Sequence, residues 1–171
     1  VVNRSPGPDA YVLDWSAFHL QPAFVAAALV AKARGYSLAV ASNQRSVALG
    51  LVTHAGVVGL HLRLRAFLRQ AYGLDLLEIA FCPHEQADLC LCRKPKPGML
   101  IDMARRHDLD LRASWMIGDA ERDVEAGLRA GGRTILIGHE TEASCAHHRA
   151  RDISVLPGLL KTVLNKKVAA L

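Results

Sequence analysis

Short apolar runs and longer amphipathic segments alternate along the chain. Short apolar runs are typical of buried strands, whereas apolar residues spaced three and four apart favour helices. Pro22 suits the first turn of a helix, Gly35 suits its end, and Thr53 suits the N-cap of the next helix. The pattern predicts helices over 22–34, 54–71, 99–107, 121–130 and 157–167, and strands over 36–41, 74–81, 115–117 and 134–137.

This order predicts a single α/β domain over residues 1–171, with a Rossmann-like parallel sheet and helices on both faces. Residues 3–21 are polar and rich in Pro and Gly, and we expect them to form an ordered loop. Three polar segments follow predicted strands: Ser42-Asn43, the cysteine-rich loop after Phe81, and Asp119. Ligands of open parallel sheets bind beyond the C-terminal ends of the strands, so we expect these segments to meet at one edge.

The composition is that of a globular protein, with 51% hydrophobic and 22% charged residues. No apolar run reaches the roughly 18 residues of a membrane span, and the N-terminus does not resemble a signal peptide. The net charge of +5 suits an anionic substrate. The basic residues are scattered rather than interleaved with aromatic residues, which favours solvated helix faces over a nucleic-acid surface. We therefore expect a cytoplasmic monomer that binds neither nucleic acid nor membrane.

One loop contains three of the four cysteines, as Cys82-Pro-His84 followed by Cys90-Leu-Cys92. Buried cysteines often serve as small hydrophobic residues, but three of them with a histidine at this spacing favour a tetrahedral Zn²⁺ site. A disulfide is disfavoured because a cytosolic protein keeps its thiols reduced. Cys145 stands apart and is expected to be an ordinary free thiol.

Each polar residue outside this loop also has an ordinary interpretation. Ser42 and Asn43 suit a turn or a helix cap, Lys94 suits a solvated surface, and Asp119 suits a helix N-cap with Asp123 in the first turn. In the functional interpretation, the Ser42 hydroxyl and the Asn43 amide bind a phosphoryl oxygen. In the same interpretation, Arg93 and Lys94 bind a phosphate and Asp119 binds Mg²⁺.

Taken together, these segments resemble the haloacid dehalogenase superfamily of phosphotransferases. The cysteine loop narrows the resemblance to its zinc-bearing branch, the D-glycero-D-manno-heptose-1,7-bisphosphate 7-phosphatases and the related histidinol-phosphatases. The matching passages are Ala41-Ser-Asn-Gln-Arg45, Cys82-Pro-His84, Cys90-Leu-Cys-Arg-Lys-Pro-Lys-Pro-Gly-Met99 and Met116-Ile-Gly-Asp119. The resemblance implies a haloacid dehalogenase-type sheet that carries the zinc loop as an insertion.

The resemblance also implies a reaction, the hydrolysis of a phosphorylated sugar through an aspartyl-phosphate. Asp119 would help to bind Mg²⁺, and Ser42 and Lys94 would bind the phosphoryl oxygens. Residues 3–8 would help to cover the sugar. The zinc would be structural, because protein ligands fill all four of its positions. The implied substrate contacts are Asn43, Gln44, Arg45, Arg93 and Lys94, and the implied zinc ligands are Cys82, His84, Cys90 and Cys92.

The sequence departs from the family in one important respect. These enzymes carry Asp-x-Asp-Gly at the end of their first, central strand, and this chain contains no such motif. Val1-Val2-Asn3-Arg4 resembles the piece that follows it, and neither Asp9 nor Asp14 is a convincing substitute. We therefore expect the natural gene product to extend upstream. We also expect the chain from Val1 onward to be inactive and marginally stable.

A smaller departure is Ala120, where the heptose phosphatases often have lysine, and it leaves the substrate less certain. Two alternatives stay open. The chain could derive from a histidinol-phosphatase, or it could be a non-catalytic, zinc-stabilised relative that binds a phosphorylated ligand.

Overall fold

The computed structural model describes residues 1–4, 7, 10–138 and 144–165. Its helices are α1 (Pro22–Ala33), α2 (Arg45–Ala48), α3 (His54–Tyr72), α4 (Gly98–His107), α5 (Glu121–Arg129) and α6 (Leu156–Val163). Its strands are β1 (Leu38–Asn43), β2 (Leu76–Cys82), β3 (Trp115–Gly118), β4 (Arg133–Ile137) and β5 (His148–Ala150). Every predicted helix and strand is present within a few residues, whereas α2 and β5 were not predicted. The last helix ends at Val163, earlier than the predicted residue 167. Asp9 and part of the loop 3–8 lie outside the described residues.

The helix ends follow the local sequence. Pro22 occupies the first turn of α1, where its missing N–H has no intrahelical acceptor to lose. Thr53 caps α3, because its side-chain oxygen accepts a hydrogen bond from the Gly56 N–H at 3.0 Å. Gly73 ends the same helix with a φ of 61°, a left-handed conformation that favours glycine. These local signals explain why both predicted boundaries agree closely with the structure.

The strands form two parallel sheets, β1–β2 and β3–β4–β5. Among the described residues no strand pairs with both sheets, so the predicted single sheet is divided at this point. In the first sheet, Asn43 lies opposite Cys82, which places the ends of β1 and β2 side by side. The central strand expected before Val1 stays a prediction.

Hydrophobic packing joins the two sheets. One core cluster contains buried residues of α1, β4 and α6, and the other contains buried residues of α1, α3 and β2. Val1 packs against the first cluster and Val2 against the second, while Leu38 of β1 contacts both. Helix α1 therefore lies across the two halves and helps to keep their strand ends in a fixed relation. No described helix is both long and apolar enough to cross a bilayer.

Candidate active site and metal centre

Lys94 connects the two halves of the molecule at the C-terminal ends of their strands. Its Nζ lies 2.6 Å from the carbonyl oxygen of Ala41 in β1 and 2.7 Å from Oδ1 of Asp123 in α5. Only 9% of Lys94 and 4% of Asp123 is exposed. A buried charge needs a partner and hydrogen bonds, and this lysine has both. The predicted convergence of the polar segments at one edge is therefore present.

The role of Asp123 was not found from the sequence, where this residue looked like a favourable acid in the first turn of a helix. Its position depends on Gly118, the last residue of β3. A Cβ atom at Gly118 would overlap the Cβ, Cγ and Oδ2 atoms of Asp123. Glycine thus lets the start of α5 approach the strand closely enough for the carboxylate to reach Lys94. The Gly118-Asp119-x-x-x-Asp123 spacing contained the only sequence signal for this contact.

Asn43 fixes the backbone of Lys94. Its Nδ2 donates to the Lys94 carbonyl oxygen and its Oδ1 accepts from the Lys94 N–H, both at 3.0 Å. Next to it, the Ser42 hydroxyl accepts a hydrogen bond from Gln44 Nε2 at 3.1 Å. The Gln44 N–H donates to the Cys82 carbonyl oxygen at 2.7 Å, which continues the β1–β2 pairing for one more residue. The predicted residues Ser42, Asn43 and Gln44 therefore lie beside Lys94 and the start of the cysteine loop.

Asp119 lies at the end of β3 and is not the helix N-cap of the ordinary interpretation. The N-cap of α5 is Ala120, which has no side-chain cap bond. The Asp119 carboxylate is 58% exposed, and its Oδ2 lies 3.0 Å from the Val1 ammonium. Desolvation raises the pKa of Asp119, but the Val1 ammonium, a backbone hydrogen bond and Arg122 together outweigh it, so the net pKa lies below the usual value. This ionised oxygen donor at the strand end fits one ligand position of a hard cation such as Mg²⁺.

The side chains of Cys82, His84, Cys90 and Cys92 form a compact group whose ligand atoms all lie within 4.8 Å of one another. The Sγ atoms of Cys82 and Cys90 are 3.6 Å apart, and those of Cys90 and Cys92 are 3.5 Å apart. His84 Nδ1 lies 3.5 Å from Cys82 Sγ and 3.3 Å from Cys92 Sγ. A tetrahedral Zn²⁺ ion with bonds of about 2.3 Å separates its sulfur ligands by about 3.8 Å. The spacing of the four atoms therefore fits a tetrahedral metal.

The three thiols of this group have very different acidities. Burial opposes ionisation of Cys90, but hydrogen bonds from the Arg93 backbone N–H and from Cys92 outweigh it and lower its pKa to about 7. Burial and the two neighbouring thiols raise the pKa of Cys92 to about 12. The first thiolate to form thus disfavours the next, as expected for like charges in contact. A divalent cation removes this conflict, because a coordinated thiol is deprotonated.

Two arginines predicted to bind substrate form hydrogen bonds with the cysteine loop. Arg93 Nη1 donates to the His84 carbonyl oxygen at 2.8 Å. Arg45 Nε donates to Glu85 Oε1 at 2.8 Å. Glu85, and to a smaller extent Tyr11, hold the pKa of Arg45 above its usual value. All the predicted substrate-contact residues therefore lie along one edge, which also includes the unpredicted Asp123 and Glu85.

Other titratable groups lie away from this arrangement. Asp14 accepts hydrogen bonds from the Ser16 N–H at 2.8 Å and from the Ser16 hydroxyl at 2.6 Å, which is a local turn. Cys145 is an exposed free thiol, as predicted. His147 contacts Thr134 in β4, where its Nδ1 lies 3.2 Å from the Thr134 backbone N–H. Asp14 and His147 thus have local contacts that account for their positions.

Comparison with known proteins agrees with this arrangement. The HAD-hydrolase-like family matches residues 91–161. A D-glycero-beta-D-manno-heptose-1,7-bisphosphate 7-phosphatase from Pseudomonas putida is 36% identical over 129 residues, which cover 75% of this chain and 73% of that protein. The enzyme of the same name from Neisseria meningitidis serogroup A is 35% identical over 130 residues, covering 74% of this chain and 69% of the relative.

A solved structure gives the same result for the fold. The D,D-heptose 1,7-bisphosphate phosphatase of B. bronchiseptica, complexed with magnesium and phosphate, superposes with a TM-score of 0.79 at 30% identity. The match covers 94% of this chain and 93% of that chain. The parallel strands, the flanking helices and their order are therefore those of haloacid dehalogenase-like proteins.

Proposed function

Because this chain belongs to the haloacid dehalogenase-like phosphatase family that includes the heptose-1,7-bisphosphate 7-phosphatases, we propose that it serves phosphate removal from a phosphorylated sugar. The proposed substrate is D-glycero-D-manno-heptose 1,7-bisphosphate, the compound named in its relatives. The reaction is a phosphoric monoester hydrolysis.

The observation that carries the proposal is the buried ammonium of Lys94. It lies at the strand ends, is held by Ala41 and Asp123, and has Ser42 and Asn43 beside it. An ammonium in a site of low dielectric binds an anion more strongly than one in water. We assign Lys94 and Ser42 to the oxygens of the transferred phosphoryl group. Asn43 and Gln44 position these two groups and line the substrate side of the edge.

Asp119 is proposed to contribute one ligand to Mg²⁺. It directly follows β3, at the edge of the sheet that carries Lys94, and carboxylate oxygens are the donors that Mg²⁺ prefers. When bound, Mg²⁺ would spread the charge of the phosphoryl group. Asp119 itself would hold the ion at the end of β3.

Cys82, His84, Cys90 and Cys92 are proposed to bind Zn²⁺. Soft thiolate and imidazole ligands at tetrahedral spacing select this metal. All four positions would be filled by protein, so the ion has no open site for substrate and serves to shape the loop. The loop in turn holds the side chain of Arg93, which precedes Lys94, through the His84 carbonyl oxygen.

The proposal is tested with the protein produced from its gene, by measuring phosphate release from heptose 1,7-bisphosphate and from histidinol phosphate with Mg²⁺. We expect release from the bisphosphate, and we expect Lys94→Met to lower the rate by about 100-fold or more. Lys32→Met is the matched control, because Lys32 also donates to a backbone carbonyl, that of Gly73 at 2.6 Å, away from this edge.

Two results would contradict the assignment. Preference for histidinol phosphate would replace the substrate with that of the related branch. Phosphate binding without release of phosphate from either compound would support the non-catalytic alternative. Asp119→Ala should remove the dependence of the rate on Mg²⁺, and an unchanged dependence would exclude Asp119 as a ligand.

A further inference from the structure

Two consecutive residues of the cysteine loop hold two guanidinium groups. His84 accepts from Arg93 through its backbone carbonyl, and Glu85 accepts from Arg45 through its carboxylate, each at 2.8 Å. Arg93 precedes Lys94 in the chain, and Arg45 lies two residues beyond Asn43, which binds the backbone of Lys94. The contacts thus form a closed ring around the edge. In this ring His84 and Glu85 separate Arg93 from Arg45, and neither arginine contacts the Lys94 ammonium in these hydrogen bonds.

The contact between Arg45 and Glu85 leaves most of the guanidinium free. It uses Nε, and the Tyr11 side chain forms a further hydrogen bond with this guanidinium, so the terminal nitrogens keep N–H donors beyond these two contacts. The Arg45 side chain is 47% exposed and that of Glu85 is 33% exposed. Ion pairs this exposed contribute little to stability, so the useful effect of the pair is orientation. A guanidinium with free terminal N–H groups presents the fork that binds phosphate oxygens in a bidentate manner.

We propose that Glu85 is a positioning residue that orients Arg45 to bind a second anionic group of the substrate, beyond the phosphate at Lys94. This inference rests on the proposed function, because it assumes a phosphorylated sugar at the same edge. Glu85 does not touch the substrate. Glu85 couples the position of Arg45 to that of the cysteine loop. It directly follows the proposed metal ligand His84, and its N–H donates to Asp88 Oδ2 at 2.7 Å.

The first experiment compares two sugars that differ by one anionic group. On the zinc-loaded protein, dissociation constants are measured for heptose 1,7-bisphosphate and for heptose 7-phosphate. We expect Arg45→Gln to weaken the bisphosphate complex by about ten- to 100-fold, the effect of losing hydrogen bonds to a charged group. Binding of the 7-phosphate should change little. Equal loss of affinity for both sugars, or no loss for either, would overturn the proposal.

The second experiment separates positioning from a general structural effect. Glu85→Gln should weaken the bisphosphate complex about threefold to tenfold in the wild-type background, and should add nothing when combined with Arg45→Gln. Zinc content should be unchanged in every variant. Glu125→Gln is the matched control, since Glu125 forms an ion pair of 2.9 Å with Arg129 on α5. If the effects of Glu85→Gln and Arg45→Gln multiply, Glu85 does not act through Arg45 and the proposal fails.

Inorganic phosphate distinguishes this failure from failure of the proposed function. If wild-type protein binds neither sugar nor inorganic phosphate, both conclusions are overturned. If Lys94→Met abolishes phosphate binding while Arg45→Gln changes neither sugar complex, the proposed function stands and the role of Arg45 and Glu85 is wrong.

Discussion

The cysteine loop (residues 82–92) and the β3–α5 junction (residues 118–123) hold charged groups at the same edge by different means. The loop depends on side chains: four ligand atoms within 4.8 Å and hydrogen bonds from arginine and lysine to its carbonyl groups. The junction depends on backbone packing, because Gly118 leaves the space that Asp123 fills. Lys94 is where the two meet, since it follows the loop and pairs with the junction.

Because of this difference, the cysteine loop and the β3–α5 junction should lose their structure under different conditions. The loop has little hydrophobic core of its own, and its Leu89 and Leu91 are largely exposed. Its shape should therefore be lost when the metal is lost. The junction packs against two strands and should tolerate metal removal, but not a side chain at Gly118 or an unpaired charge. The following substitutions test this comparison.

Removing one proposed metal ligand should have the largest effect. Cys92→Ser should reduce the zinc content from about one ion per chain to nearly none, measured by elemental analysis. A ligand present at about 1,000 times its Kd stabilises the folded state by about 4 kcal/mol, and this contribution should disappear from the free energy of unfolding. Cys145→Ser is the control and should retain the metal. Full zinc retention by Cys92→Ser would exclude this ligand set.

Breaking the buried ion pair should have an effect of comparable size on stability. Asp123→Ala leaves the Lys94 ammonium without its carboxylate, which should lower the free energy of unfolding by about 3–5 kcal/mol in urea denaturation. The double variant Lys94→Met/Asp123→Leu has no buried charge and should recover most of this loss while staying inactive. Zinc content should be normal in both. A double variant as unstable as Asp123→Ala would show that the packing of Asp123, not its charge, is important.

A methyl group at the junction should have a smaller effect. Gly118→Ala would force the new Cβ against Asp123, and overpacking of this kind costs about 1–3 kcal/mol. Gly59→Ala is the matched control, because Gly59 lies in α3 and a Cβ there would meet nothing within 4 Å. That change should be neutral or stabilise the protein by up to about 1 kcal/mol. Equal melting temperatures for the two variants would contradict the close approach at Gly118.

The smallest effect concerns a partly exposed ion pair in the strand that leads into the loop. Glu78 of β2 contacts Arg106 Nη2 at 2.5 Å and His107 Nε2 at 2.8 Å. Desolvation raises the pKa of Glu78, but Arg106 and His107 lower it more, so its folded-state pKa lies below 4.5. Glu78→Gln should therefore lower stability by about 1 kcal/mol or less at neutral pH.

The sign of the pH dependence follows from the depressed pKa of Glu78. The stabilisation is fully present above the unfolded-state value of about 4.5 and is lost as the pH falls through the folded-state value. The stability difference between wild type and Glu78→Gln should thus shrink in acid. A difference that grows below pH 4 would be inconsistent with an ionised Glu78 in the folded protein, and would be seen in urea titrations at several pH values.

The parts of the molecule that follow from local chemistry were predictable from the sequence. Thr53 and Gly35 marked helix ends correctly because capping and left-handed turns depend on a few adjacent residues. The grouping of Cys82, His84, Cys90 and Cys92 was predictable because these residues lie in one short loop. In contrast, β5 has the sequence His148-Arg-Ala150, which contains no apolar pattern, and it forms because β4 offers a free edge.

Contacts between distant segments were not predictable. Lys94 and Asp123 each have an ordinary local explanation, and only the packing of α5 against β3 brings them together. The same applies to the contact between Glu85 and Arg45, which joins residues 40 positions apart in the sequence. The pairing of β1 with β2 and of β3 with β4 and β5 depends on which strands are neighbours rather than on the pattern within each strand, so it was not predicted strand by strand.

The two hydrogen bonds between Asn43 and Lys94 have a consequence for how the lysine is located. A carboxamide carries one donor and one acceptor in the arrangement of a peptide group, so this side chain imitates one more rung of a β-ladder. The position of the Lys94 backbone is therefore fixed by the last residue of β1 rather than by its own loop. A carboxylate of equal size, as in Asn43→Asp, would keep the acceptor, lose the donor and face the Lys94 carbonyl oxygen with a negative charge. The Lys94 ammonium would then be displaced, although the Ala41 and Asp123 atoms that contact it are unchanged.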